Sequence, residues 1–300
     1  MLPDFLLPYN EVDTRNALFQ QKWHHLRWLN TEARLRHYTY LILIGSPLII
    51  LLWWFIERFH VNFADVSPDL AYRLINLTLF AVLITMALSS YYFLPRIMGR
   101  FQTQFNSAYW DMLRLSPQLN SAILMSHDAI AQIRLWPLTA VEVGLRIAVV
   151  LLYALNNFYD ALHPHPQIDL SIGQILLNPN YIGLSGILFF VGFVFILEPV
   201  IRVRLIIAFH ITIATRIRNI PLTLLTAIII HSLVHIAQLF LIVCLYTIYQ
   251  AFSNQTMGAV GLAVCFVPLM GLTIVLLWAF YRWLRKAALN LAYSAAFRED

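Results

Sequence analysis

The sequence predicts an all-α integral membrane protein. It should have six transmembrane helices, an N-terminal amphipathic interfacial helix, and a helical cytoplasmic loop between spans 2 and 3. Three observations predict this. The 300 residues are 60% hydrophobic and only 12% charged, where a soluble domain carries about 25% charged residues. Bilayers solvate charge poorly, so lipid-embedded chains lack it. Apolar runs recur at the ~20-residue length that a membrane-crossing helix needs. Basic residues fall almost entirely on alternate sides of those runs.

Residues 1–37 read as a cytoplasmic segment without a secretory signal: Pro3, Asp4 and Glu11 interrupt the start, and no small-residue cleavage site follows. From Thr14, Phe19, Trp23, Leu26 and Leu29 recur at helical spacing among Arg15, Lys22, Arg27, Arg34 and Arg36. Tryptophan and cations on a helix just before a span suit the membrane surface. Residues 38–300 form one polytopic domain, with spans at about 38–57, 70–94, 136–157, 180–199, 222–249 and 258–282. Pro199 predicts a kink or break after the fourth span. Residues 200–219 are then either its cytoplasmic continuation or a second short helix.

Six spans place both termini on one side. Seventeen bases between Arg15 and Arg298 fall there, against Arg58 and Arg73 opposite. The rule that cytoplasmic loops are basic places both termini in the cytoplasm. The formal charge of +5 is thereby explained by topology; the expected surface partner is the lipid bilayer, and no nucleic acid. Cys244 and Cys265 sit inside apolar runs and imply no disulfide framework.

The longest polar interval between apolar segments is Ser107–Trp136. Trp110, Leu113 and Leu115 precede Pro117; Ile123, Leu124, Ala131 and Leu135 follow it at helical spacing. A helix–break–helix insert between two spans reads as a docking surface for a cytoplasmic partner. Trp110 would be its apolar knob, with Leu113 on the same face.

Glu142 and Arg146 stand four apart in the third span, and Glu198 and Arg202 repeat that spacing beside Pro199. Each pair shares a helix face, and pairing lowers the cost of charge among apolar residues. His231 and His235 are also one turn apart. They are weak candidates for a metal, and histidines bonding between helices explain them more simply. No metal site is expected. The chain lacks GxxxxGK[ST], HExxH, CxxC and GxSxG motifs. It is therefore not expected to be an enzyme, and any ATP used would bind another subunit.

WDMLRLSP at 110–117 resembles the WDLLxLTP signature in the cytoplasmic loop of ATP-binding-cassette (ABC) type-2 exporter permeases. The match is Trp110, Asp111, Leu113, Leu115, Ser116 in place of threonine, and Pro117. Ser126 and His127 stand where that family has a gly-lys pair, and AIAQIRLWPL after them has the family's texture. ILEPVIRVRLIIAFHITIATRIRN at 196–219 resembles its fourth span. Where the family carries acids and a glycine before the tryptophan, this chain has Arg100–Tyr109 without a carboxylate.

The resemblance implies a permease subunit in the plasma (inner) membrane. It would be driven by a separate cytoplasmic ATP-binding subunit docked on Trp110, Asp111, Leu113, Leu115, Pro117 and His127. A second permease chain, identical or not, would complete it. No cofactor is expected in this chain. The other reading kept open is a non-transporting subunit of a larger membrane complex, one holding redox groups or pigments.

Overall fold

The computed structural model describes residues 17–26, 31–60, 69–105, 107–115, 120–162, 179–217, 219, 221–223, 225–236, 240 and 259–297. Among them every element is helical. In chain order these are α1 (Ala17–His24), α2 (Glu32–His60), α3 (Asp69–Ala87), a π-helical segment (Leu88–Phe93), α4 (Leu94–Phe105), α5 (Ala108–Arg114), α6 (Asn120–Leu162), α7 (Pro179–Arg216), α8 (Pro221–Ile236) and α9 (Ala259–Ala296). Among the described residues three stretches are long and apolar enough to cross a membrane: Ala33–Ile56, Arg73–Phe105 and Ser121–Leu155. This fits a membrane protein. Residues 237–239 and 241–258 lie outside the described residues, and with them nearly half of the expected fifth span, its C-terminal part.

Several helices run past their expected bounds. The insert does not fold apart from the third span: from Asn120 it is already α6, a single 43-residue helix that carries Pro137 within it. The sequence 120–136 has no residue that stops a helix, because a proline breaks only its own backbone bond and can be absorbed when neighbours support the freed carbonyl. Likewise α7 continues through Pro199 to Arg216, so residues 200–216 extend the fourth helix. α9 runs to Ala296, well past the expected end near 282.

α6 is the hub. α1, α2, α3, α4, α7 and α9 all pack on it, and α9 packs most extensively on α7. Its crossing with α2 is close because Gly144 has no side chain: a Cβ there would meet the Ser46 hydroxyl and the Ile42 carbonyl. Ser46 turns that hydroxyl onto Ile42 O at 2.7 Å. Two turns nearer the N-terminus of α2, Trp136 Nε1 donates to Thr39 Oγ1 at 2.7 Å. Small residues allow backbones to approach and short hydroxyls bridge them, the usual solution among apolar helices.

Burial is uneven. The largest core joins Phe101, Trp110, Ile123, Leu124, Leu135, Ile206, Ile207 and Ala292, drawn from α4, α5, the start of α6, the end of α7 and the end of α9. A second joins Phe19 and Trp23 of α1 to Ile130, Ile133 and Trp136 of α6. Both cores gather at the arginine-rich end of the helices. The apolar face of α1, expected against lipid, is therefore spent on protein: Leu18, Phe19 and Trp23 are all buried. The expected exposure fails because α6 offers an apolar groove directly beneath it.

Candidate functional site

Two polar sites stand on α6. The first is an ion ring where α6 crosses α7. Glu142 Oε1 accepts from Arg146 Nη2 at 2.7 Å and from Arg202 Nη2 at 2.5 Å. Glu198 accepts from Arg146 Nη1 at 2.8 Å and from Arg202 Nε at 2.9 Å. The two sequence pairs are thus one group of four, formally neutral. The reason is geometric. Each helix carries its acid one turn before its base, and the two helices run in opposite directions. Opposite charges therefore meet head to head. Two parallel helices with the same order would oppose like charges.

The ring is enclosed. Glu142 and Arg202 are 0% exposed, and only Glu198, at 22%, reaches the edge. Charges this buried need nearly complete pairing, because desolvation is expensive. Arg202 Nη1 finds a third helix at Ser90 Oγ, 3.3 Å away. Ser90 lies in the π-helical segment, whose wider turn is a common feature of functional sites. Arg146 Nη1 also donates to the Phe195 carbonyl at 2.7 Å, and its guanidinium lies 4.6 Å from the Phe195 ring centre. Glu142 Oε2 has no hydrogen-bond partner.

Next to the ring is a cluster of rings. His231 lies 5.1 Å from His235, 6.2 Å from His210 and 5.3 Å from Tyr91, measured between centroids. His210 Nδ1 is 2.8 Å from Ile206 O. Among the described residues no group of three or more His, Cys, Asp or Glu side chains is placed to hold a metal ion. His231 and His235 sit in a ring cluster with Tyr91 and His210.

The second site is the insert. The sequence predicts Trp110 as an exposed knob for a partner. The structure turns it inward: it is 3% exposed, with ring centres of Phe105 at 4.4 Å, Phe297 at 5.8 Å, His127 at 6.0 Å and Phe101 at 6.3 Å. The reason is that α4 and the end of α9 carry aromatic residues that close over α5. His127 is buried too, and Lys22 Nζ lies 2.7 Å from its Nε2. Leu113 packs half-buried against the same core. Of the expected docking set, Asp111 and Leu115 face outward, and Pro117 lies outside the described residues. Met112, which the sequence reading passed over, is 71% exposed, and Leu115 is 87% exposed.

Beneath the insert, Asp128 Oδ2 accepts from Arg285 Nη2 at 2.6 Å and from Gln132 Nε2 at 2.8 Å. Gln102 Nε2 donates to Ile217 O and to Thr223 Oγ1, both at 2.8 Å. These contacts pin α9 to α6, and α4 to the turn between α7 and α8. Asp128 is legible in the sequence as an acid within the insert's helical run; nothing there named Arg285 as its partner. No family model, curated protein or solved structure matches the chain.

Proposed function

We propose that the chain is the membrane-spanning permease subunit of an ATP-driven ABC-type exporter, with both termini cytoplasmic, six spans, a second permease chain beside it and the ATPase on a separate subunit. One observation carries the reading. A single helix, α6, continuous through Pro137, follows the exposed tip at Met112 and Leu115 in the chain and holds Glu142 and Arg146 of the ion ring. From Asn120 to Glu142 is about 33 Å at 1.5 Å per residue. A push at the tip reaches a buried ion-pair contact along one helix. Alternating access needs such coupling.

The docking surface is then Asp111, Met112 and Leu115, with Trp110 as the post that holds it. Flexible methionine and leucine side chains on a short supported helix suit a groove in a partner. The carboxylate of Asp111 supplies one charged contact.

The experiment purifies the chain with its bound subunits and measures ATP hydrolysis by the complex, ATP photolabelling of the bound subunit and uptake into inside-out vesicles. Met112→Ser with Leu115→Ser should leave insertion and thermal stability unchanged, because both side chains are exposed. The ATP-labelled subunit should be lost and hydrolysis should fall at least tenfold. A complex without ATP hydrolysis, or one in which the double variant keeps its labelled subunit, overturns the reading.

A further inference from the structure

We infer that the α6–α7 crossing is a latched hinge, in which Arg146 closes the break that Pro199 makes in α7. In an uninterrupted helix the amide of residue 199 donates to the carbonyl of Phe195. Proline has no N–H, and its ring crowds that carbonyl. Phe195 O is thus left without its helical donor inside an apolar helix, where an unmet carbonyl is costly. Arg146 of α6 takes the donor's place at 2.7 Å and lays its guanidinium on the Phe195 ring. The same Nη1 holds Glu198, the residue directly before the proline.

The two sides of the break are held to α6 by different arginines. Arg146 holds Phe195 and Glu198 above it. Arg202, below it, holds Glu142 of α6 and Ser90 of the π-helical segment. Bending at Pro199 must release one of these holds. The pairing pattern makes release tolerable. When the cross-helix contacts part, Glu142 keeps Arg146 and Glu198 keeps Arg202, each one turn away on its own helix. No charge is left bare in the open state, which retains two of the four ion pairs. Glu198, the one member that reaches the edge of the ring, is where opening starts. The hinge is a property of this chain alone and holds whether or not an ATPase drives it.

The test measures the bend directly. Cysteines at the exposed positions Val191 and Arg216 of α7, in a full-length chain with Cys244 and Cys265 replaced by alanine, carry spin labels on either side of Pro199. They lie about 38 Å apart along a straight helix, within range of pulsed dipolar spectroscopy. The single Arg146→Gln leaves an unmatched carboxylate and can fail to fold for that reason alone. Glu142→Leu with Arg146→Leu removes a neutral pair instead, and is the variant to use. The parent should give one narrow distance distribution; the paired variant should broaden it or add a shorter distance. Adding Pro199→Ala restores an amide donor to Phe195 O and should return the narrow distribution. Amide exchange at Val200–Val203 should rise and fall in step. A paired variant with the parent's distribution, or breadth that persists after Pro199→Ala, overturns the hinge.

Discussion

Helix α2 and the membrane-length part of α6 have nearly equal hydropathy, yet 11% of the apolar window of α2 is buried inside the protein against 44% of that of α6. α2 turns Leu41, Ile44, Leu48, Ile49, Leu52 and Phe55 outward, while α6 is surrounded by six other helices. Hydropathy reports what surroundings a helix tolerates. Lipid tails and leucine side chains are equally apolar, so it does not report which of them the helix meets. The polar residues separate the two helices. On α2, Thr39 and Ser46 lie on the side toward α6. On α6, Asp128 reaches α9, Trp136 reaches α2, and Glu142 and Arg146 both reach α7.

The largest expected effect breaks α6 at its ring. Arg202→Leu leaves Glu142 and Glu198 to share Arg146 in an enclosed site. Removing one partner of a buried ion pair costs about 3–5 kcal/mol, whereas replacing both members is often nearly neutral. Glu142→Gln with Arg202→Gln should therefore yield more folded protein in detergent than Arg202→Leu alone. A double variant that melts lower than the single one would show that the ring is not held by pairing.

A second pair of substitutions sets the two surroundings side by side. Trp110→Ala removes a buried indole whose Nε1 has no hydrogen-bond partner, so the loss is packing alone, roughly 3–5 kcal/mol. Ile49→Ala on the outward face of α2 should stay within about 0.5 kcal/mol, since lipid fills the space. Comparable melting shifts for the two would mean that the end bundle is loosely packed or that α2 has a protein neighbour outside this chain.

The smallest effect concerns how α1 seats on α6. Burial, with Arg134 nearby, holds Lys22 down to about 8 from the ordinary 10.5. A base with a lowered folded pKa is penalised while charged. The penalty is fully present below about pH 8 and is relieved as pH rises toward 10.5. Thermal stability should therefore gain a contribution across that interval, and Lys22→Met should lose that pH dependence. A Lys22→Met profile with the parent's slope would assign the pH dependence to another group.

The sequence by itself determined the helical class, its membrane-like hydropathy and the two acid–base spacings at Glu142–Arg146 and Glu198–Arg202. These are local properties: hydropathy over twenty residues, and one turn of helix. It also singled out Trp110 as a residue that must contact something apolar. Only the tertiary structure decided what that something is. Phe105, His127 and Phe297 come from α4, α6 and the residue after α9, and nothing in residues 107–117 says that they will close over the indole. The same holds for the ring. Each pair could have satisfied itself on its own helix; what merges the two is the register between α6 and α7, which is set by packing across the bundle. The donor for Phe195 O is legible from neither pair alone, because Pro199 creates the vacancy on one helix and Arg146 fills it from another.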